Sequence, residues 1–222
     1  MTASRRLILA VFLTFALGAG SAGTPSPPAE DQDFAAGWRA YSAADYGHAR
    51  SLYRKAAERG HTLAQFNLSV MLIEGQGGAV DSKEGLEWLR KAADGGLARA
   101  QYSLGVFYDR GEIVPKSTTE ATAWYAKAAA QGWRDAQVSL ATQYYLGRGA
   151  PKDFKEAAKW YERAAQQGDE GASYIIASMY EHGDGVMQDL QVAVYWYTQA
   201  AAYGDPTAEI KAREVLKKLH PE

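Results

Sequence analysis

The chain has 222 residues, of which 47% are hydrophobic, and this composition is that of a globular protein. The formal net charge of -2 and the pI near 6.1 exclude the broad basic surface that a DNA- or RNA-binding protein needs. Because the chain contains no cysteine, disulfides, a thiol nucleophile, a lipid-modified cysteine and a cysteine-ligated metal site are excluded as well.

Residues 1–22 have the pattern of an export signal. Arg5 and Arg6 precede an apolar run from Leu7 to Leu17, and small residues follow up to Ala22. The run is shorter than the roughly 20 residues of a membrane-spanning helix, so we expect cleavage, with an uncleaved inner-membrane anchor as the alternative. The arginine pair leaves the twin-arginine route open beside the general one. Cleavage would leave 22 Lys and Arg against 26 Asp and Glu, a net charge of -4, on a periplasmic or secreted protein.

After a linker at residues 23–33, which its prolines and charges predict to be disordered, a 36-residue period organises the chain. Three columns recur at this interval without insertion or deletion: Gly60, Gly96, Gly132, Gly168 and Gly204; Ala64, Ala100, Ala136, Ala172 and Ala208; Trp88, Trp124, Trp160 and Trp196. Ala64 and Leu68 stand at i,i+4, as do their successors, which predicts an apolar stripe on a first helix. The tryptophan column, one turn before the alanines of a second helix, is predicted to lie in the core.

The helix boundaries are predicted from capping residues. Four residues stand where the second helices should begin: Asp81, Ser117, Asp153 and Asp189. Glutamate follows the first three of them at the third helical position, which is typical of a reciprocal capping box. Glycine columns follow both helices of each unit, as expected where the backbone turns left-handed. The sequence thus predicts a series of helical hairpins.

These boundaries give a domain organisation with about 11 helices. It comprises a signal peptide (1–22), a linker (23–33), a partial N-terminal hairpin (34–60), four repeats (61–96, 97–132, 133–168 and 169–204) and a C-terminal capping helix (205–222). Asp205 and Pro206 should cap and open the last helix. Its basic residues predict a polar outer face, as a terminal cap requires.

The best copy of the unit consists of residues 100–108 (AQYSLGVFY), residues 124–129 (WYAKAA) and Gly132. These columns resemble the Sel-one-like repeat, a relative of the tetratricopeptide repeat, over about residues 46–204. The resemblance implies an all-α solenoid with a right-handed superhelix, and an adaptor or scaffold role in membrane-associated, secretory or envelope processes. Some cysteine-rich secreted members are credited with penicillin binding or hydrolysis, but this chain lacks their cysteines. Ile113 departs from the pattern because it replaces the second loop glycine.

In a solenoid of this kind the first helices line the concave face, where we expect a partner protein or peptide to bind. At 100° per residue, twelve side chains lie opposite the alanine and leucine stripe: Tyr102, Val106, Asp109, Arg110, Asp135, Val138, Thr142, Tyr145, Tyr174, Ser178, Glu181 and His182. Aromatic and charged residues mixed in this way favour a polar protein ligand anchored by tyrosines. The alternative is that they form solvated helix faces and contacts between repeats.

The sequence offers little for catalysis or metal binding. Glu181 and His182 form the most site-like pair, yet Gly183 and Gly185 beside them belong to the repeat columns, which indicates a structural loop. We therefore predict a non-enzymatic, cofactor-free and metal-free protein, a monomeric scaffold with no nucleic-acid partner and no contact with the membrane beyond the signal segment. The alternative is an envelope hydrolase or peptidoglycan-active protein whose site is assembled from scattered polar residues.

Overall fold

The computed structural model describes residues 29–219, and these form eleven α-helices and no β-strand. The helices are α1 (Ala29–Ser42), α2 (Tyr46–Glu58), α3 (Thr62–Glu74), α4 (Ser82–Asp94), α5 (Ala98–Arg110), α6 (Thr118–Ala130), α7 (Arg134–Leu146), α8 (Phe154–Gln166), α9 (Glu170–His182), α10 (Leu190–Tyr203) and α11 (Pro206–Leu219). Each helix packs on its neighbours in chain order. The predicted all-α solenoid is confirmed; the predicted signal peptide, most of the linker and the last three residues lie outside the described residues.

Helix α1 begins earlier than the sequence predicted. Residues 29–33, assigned to a disordered linker, form its first turn, which corrects that assignment. The carboxylate of Asp33 pairs with Arg59, and the ring of Phe34 lies 5.7 Å from that of Tyr53. These contacts with the end of α2 hold the first turn in place, and composition alone could not indicate them.

Small residues bring the helices of each unit together. The alanine column of the first helices is 0% exposed throughout, and so are Ala92, Ala128, Ala164 and Ala200 of the second helices. Leu68, Leu104 and Ile176 of the apolar stripe are also fully buried. Because alanine has a short side chain, backbones can approach closely while the larger residues fill the remaining space.

The second helices begin at the predicted caps, but the capping box is only half formed. Asp81 Oδ1 accepts the Glu84 amide at 2.9 Å, as expected. The amide of Asp81, however, donates to the carbonyl of Leu72 in the preceding helix at 2.8 Å. The amides of Ser117, Asp153 and Asp189 do the same with the carbonyls of Tyr108, Tyr144 and Tyr180, at 2.8 to 3.0 Å. Each cap therefore also connects the two helices of its unit.

Glycines with positive φ form the loops between first and second helices. Gly75, Gly111, Gly147 and Gly183 end the first helices with φ between 69° and 77°. At Gly149 a Cβ would lie 2.1 Å from the carbonyl oxygen of Thr118, at the start of the preceding second helix. Ile113 occupies the equivalent position with φ of 64° and is 41% exposed, so one loop carries backbone strain that glycine relieves in the others.

The tryptophan column is only partly in the core, which corrects the sequence prediction. Trp88 and Trp196 are 9% and 6% exposed, whereas Trp124 and Trp160 are half-buried. Lys127 covers the outer face of Trp124, its Nζ lying 3.7 Å from the ring centroid. The residue after each tryptophan is the one that points fully inward, since periodicity fixes spacing along the helix but leaves the exact rotation of the buried face to packing.

Helix α11 closes the C-terminal end of the solenoid. Asp205 Oδ1 accepts the amide of Thr207 at 2.8 Å, so the predicted cap is present. Ala208 and Val215 are fully buried, and Arg213 pairs with Glu209 on the outer surface. The outer face is not wholly polar, because two apolar side chains remain exposed on it: Ile210 at 61% and Leu216 at 47%.

Candidate partner-binding surface

The predicted binding residues of α5, α7 and α9 gather around one tyrosine of the second helix in each unit. These tyrosines are Tyr125, Tyr161 and Tyr197, which follow one another at the 36-residue interval. Their rings are almost fully buried, at 1% to 3% exposure. We refer to the groups around them as the first, second and third tyrosine clusters.

The first tyrosine cluster is the most acidic. The rings of Tyr102 and Tyr125 lie with their centroids 5.7 Å apart. Burial raises the pKa of Tyr125, and the negative charge of Asp109 raises it further. Burial likewise raises the pKa of Tyr102, with Asp135 as the next cause, and Ser139 interacts with both hydroxyls. Two tyrosine hydroxyls and two carboxylates thus share one small region.

The second tyrosine cluster is mainly aromatic, with Lys152 Nζ 4.4 Å from the centroid of its Phe154 ring. The hydroxyl of Thr142 lies 2.9 Å from that of Tyr161, within hydrogen-bonding distance. The Tyr145 ring packs between those of Phe154 and Tyr161, with centroid distances of 5.1 and 6.4 Å. Burial raises the pKa of Tyr161, so its hydroxyl remains protonated and can donate.

The third tyrosine cluster is covered by the C-terminal helix. The Tyr174 and Tyr197 rings meet edge to face at 5.1 Å. The Tyr197 hydroxyl donates to Glu181 Oε2 at 3.0 Å, and Lys218 Nζ of α11 donates to Oε1 at 2.6 Å. Burial alone would raise the pKa of Glu181, but Lys218 and Tyr197 outweigh it and hold that pKa below its usual range.

Glu181 was expected to face a partner, and the structure places it instead in the interior, where it is 5% exposed. The expectation treated this part of α9 as accessible. Helix α11 covers this part of α9, because its Lys218 reaches across to the carboxylate. The Glu181 carboxylate is therefore already engaged within the chain.

The other predicted residues lie at the margins of the clusters. Val106 and Val138 are partly buried against the core. Arg110 is exposed at the end of α5, and His182 is exposed at the end of α9, where its Nδ1 lies 2.8 Å from the carbonyl oxygen of Ser178. Glu181 is buried and His182 is exposed, although His182 is near enough to contribute to the lowered pKa of Glu181.

Sequence reasoning missed the residues that hold the clusters together. Tyr125, Tyr161 and Tyr197 were treated only as members of a helix pattern, and Ser139 and Lys218 were not considered as contacts. The 36-residue spacing of the tyrosines could have singled them out. The partner of each tyrosine hydroxyl could not be read in this way, because it depends on distances between helices.

A column of buried glutamines was also missed, and its role is structural. Gln101 Nε2 donates to the carbonyl of Ala93 at 3.0 Å, and its Oε1 accepts from Gln131 at 2.8 Å. Gln137, one repeat later, makes the equivalent bonds to Ala129 and Gln167. These side chains satisfy carbonyls at the ends of second helices and join successive repeats.

Within residues 29–219, no group of three or more His, Asp or Glu side chains is placed to hold a metal ion. Nor does any helix in this part of the chain have the length and apolar character needed to cross a membrane. The polar groups of the three tyrosine clusters are hydroxyls and carboxylates spread along successive helices.

The Sel1 repeat model matches residues 39–61, 62–97, 98–133, 134–169 and 171–205. The chain belongs to the Sel1 repeat family. This confirms the resemblance inferred from the glycine, alanine and tryptophan columns. Sel1 repeat proteins are generally protein-interaction scaffolds. Among curated proteins, none matches this chain.

Solved Sel1 repeat structures have the same fold. The c5321 protein, described as a protective antigen present in uropathogenic Escherichia coli strains and displaying an SLR fold, is 33% identical with a TM-score of 0.79. The match covers 85% of this chain but only 41% of c5321, so the chain spans about two fifths of that relative's length. A Sel1 repeat protein from Oxalobacter formigenes is 32% identical with a TM-score of 0.76, and the match covers 81% of this chain and 74% of that one.

Proposed function

We propose that this Sel1 repeat protein is a non-catalytic scaffold of the bacterial cell envelope that binds a partner protein or peptide on its concave face. In this proposal the first and second tyrosine clusters form the contact surface. The observation that carries it is the recurrence of tyrosines, hydroxyls and carboxylates on α5 and α7, where Tyr102 and Tyr145 remain partly accessible, whereas Glu181 of α9 is held by Lys218 of α11.

The chemistry of this surface supports protein recognition. Tyrosine supplies a large contact area with two rotatable side-chain angles and a polar hydroxyl, and such residues often dominate binding energies. Tyr102 and Tyr145 are half-buried, so their rings are held in place by neighbours yet keep an accessible part. The Asp135 side chain is 32% exposed and adds charge at the edge. A surface already ordered in this way loses little conformational entropy on binding.

Affinity purification from cell envelopes with crosslinking and mass spectrometry tests the proposal. The tagged full chain is compared with a variant carrying Asp135→Arg and Tyr145→Ala, which changes the first and second clusters. The control carries Glu87→Arg and Tyr195→Ala, two exposed residues on second helices. We expect at least one crosslinked partner to be lost from the first variant and kept by the control. Identical partner profiles for all three proteins would contradict the proposal.

The envelope location rests on the predicted signal at residues 1–22. We propose export and cleavage near Ala22, because Arg5 and Arg6 with the short apolar run fit a signal peptide better than a permanent anchor. Cell fractionation with N-terminal sequencing measures this directly. A mature N-terminus close to residue 23 in the periplasm or medium is expected, whereas an intact N-terminus in the membrane fraction would favour the tethered form.

A further inference from the structure

An acid stands beside a buried tyrosine in two of the repeats, and in one of them a lysine already pairs with the acid. Asp109 and Tyr125 stand 72 residues, two repeats, before Glu181 and Tyr197. In the later copy, the two oxygens of Glu181 accept from the Tyr197 hydroxyl and from Lys218 Nζ, at 3.0 and 2.6 Å. The structure therefore shows what an acid and a tyrosine at these positions can bind.

The earlier copy has the acid and the tyrosine but no lysine. The residue two repeats before Lys218 is Leu146, which is 47% exposed and carries no charge. The Asp109 carboxylate is half-buried and accepts a hydrogen bond at 3.3 Å from Gln143 Nε2. That amide is neutral and leaves the charge of the carboxylate unbalanced.

The nearest cation does not fill this place. Arg110 is close enough to influence the hydroxyl of Tyr125, but its guanidinium lies 3.8 Å from the carboxylate of Glu112 in the following loop. Asp135 adds a second carboxylate to the same cluster, and its Oδ1 lies 3.5 Å from Arg134 Nε, so Arg134 is engaged there and not at Asp109. In the second tyrosine cluster Tyr145 stands at the position that Asp109 and Glu181 have in the other two. The acid without a lysine therefore belongs to the first tyrosine cluster, on α5 and α6.

We propose that Asp109, with the hydroxyl of Tyr125, forms a subsite for a lysine side chain of the partner protein that reaches it from the concave face. The proposal rests on the proposed function and specifies the chemistry of its ligand. The partner's ammonium group takes the place that Lys218 takes at Glu181. Because partner binding removes water from a half-buried carboxylate, an opposite charge at this position contributes to both affinity and register.

The first test fills the subsite from within the chain. In Leu146→Lys, the new side chain starts from the position equivalent to Lys218 and should pair with Asp109. We expect the melting temperature to rise by ~1–3 °C, the effect of a partly exposed ion pair in a chain of this size. The gain should vanish when Asp109→Asn is added, and Leu146→Met should show none. A gain that persists without the Asp109 carboxylate would overturn the proposed geometry.

The second test uses a peptide as probe. A fluorescein-labelled peptide with the sequence of residues 206–219 carries the lysine that pairs with Glu181 in the folded chain. Fluorescence anisotropy should show saturable binding to the full chain, weakened about 10- to 100-fold by Asp109→Asn or by Leu146→Lys, as expected for one charge-assisted hydrogen bond. Glu87→Gln, an exposed carboxylate elsewhere, should leave binding unchanged.

A double-mutant cycle makes this test specific to one contact. A peptide with Lys218→Leu should lose the same factor, and combining it with Asp109→Asn in the chain should cause no further loss. Additive losses, equal binding by the wild-type and Asp109→Asn chains, or no saturable binding at all would contradict the subsite. Dimers in sedimentation of the full chain that Asp109→Asn dissociates would assign the subsite to a second copy of this chain and contradict a different partner.

Failure of this proposal can be distinguished from failure of the proposed function. If the Asp135→Arg and Tyr145→Ala variant keeps every crosslinked partner, partner binding on this surface is wrong, whatever Asp109 does. If that variant loses a partner while Asp109→Asn keeps both the partner and the peptide, only the lysine subsite is wrong.

Discussion

Replacing Lys218 with methionine removes the cation that faces the buried carboxylate of Glu181. The Glu181 side chain is 6% exposed, whereas that of Lys218 is 57% exposed. Breaking a fully buried ion pair costs about 3–5 kcal/mol, but here one partner is largely in solvent and the Tyr197 hydroxyl still donates to the carboxylate. A loss of ~1–3 kcal/mol is therefore expected, close to that of one hydrogen bond to a charged group. For a chain of this size this corresponds to a melting temperature lower by ~3–8 °C.

The pH dependence of this loss follows from the pKa of Glu181. In the wild-type chain that pKa is held below its usual value, so the stabilisation is present above the unfolded pKa and is lost as pH falls through the folded one. Without Lys218, burial dominates and raises the pKa of Glu181, so protonation then stabilises the fold. The difference in melting temperature between Lys218→Met and wild type should be largest near neutral pH and shrink below about pH 4.

Thermal unfolding followed by circular dichroism at several pH values measures this effect. Lys217→Met is a matched control, because Lys217 is exposed on the same turn of α11 and makes no such contact with Glu181. It should melt within about 1 °C of wild type, as expected for a surface substitution. A Lys218→Met loss that stays constant from neutral to acidic pH would refute the ion pair as its cause.

Three further substitutions test the loops and the glutamine column, each by the midpoint of thermal unfolding. Ile113→Gly should raise stability by about 1 kcal/mol because it relieves a β-branched residue at φ of 64°, and a lower midpoint would contradict the strain. Gly149→Ala should lower the free energy of unfolding by at least ~2 kcal/mol, since its Cβ would meet the Thr118 carbonyl oxygen at 2.1 Å. An unchanged midpoint would show that the loop is not held against α6. Gln137→Leu should lower the free energy of unfolding by about 1 kcal/mol, because it removes the bond from Gln167 and one of the hydrogen bonds on the Ala129 carbonyl, which keeps the Gly132 amide; a neutral outcome would mean that water replaces these bonds.

The fold could be predicted almost completely from the sequence, because its determinants are local and repeated. Glycines that end helices, residues that cap them and alanines that let them pack all recur at 36 residues. Each of these acts within one or two turns of its own position. The register of the helices therefore followed from spacing; the error in helix bounds lay at the N-terminal end, where Asp33 is held by Arg59 just after α2, and the error in burial lay in the tryptophan column.

The candidate site could be predicted only in outline. Helical periodicity selected Tyr102, Asp109 and Tyr145 as residues of one face, and the structure places them in the first two tyrosine clusters. The same rule selected Glu181, because it stands at the same position in its repeat as Asp109. What differs is the helix that follows two positions later: α11 brings Lys218 to Glu181, whereas α7 has Leu146 at the equivalent position of the repeat.

The sequence by itself determined the repeat, its helices and the type of residue on each face, since these depend on spacing along one chain. Only the tertiary structure decided which of two equivalent carboxylates is buried in an ion pair, and which tyrosine hydroxyl meets which hydroxyl or acid. Those outcomes depend on side chains from helices up to 37 residues apart, whose distances are set by packing and not by periodicity.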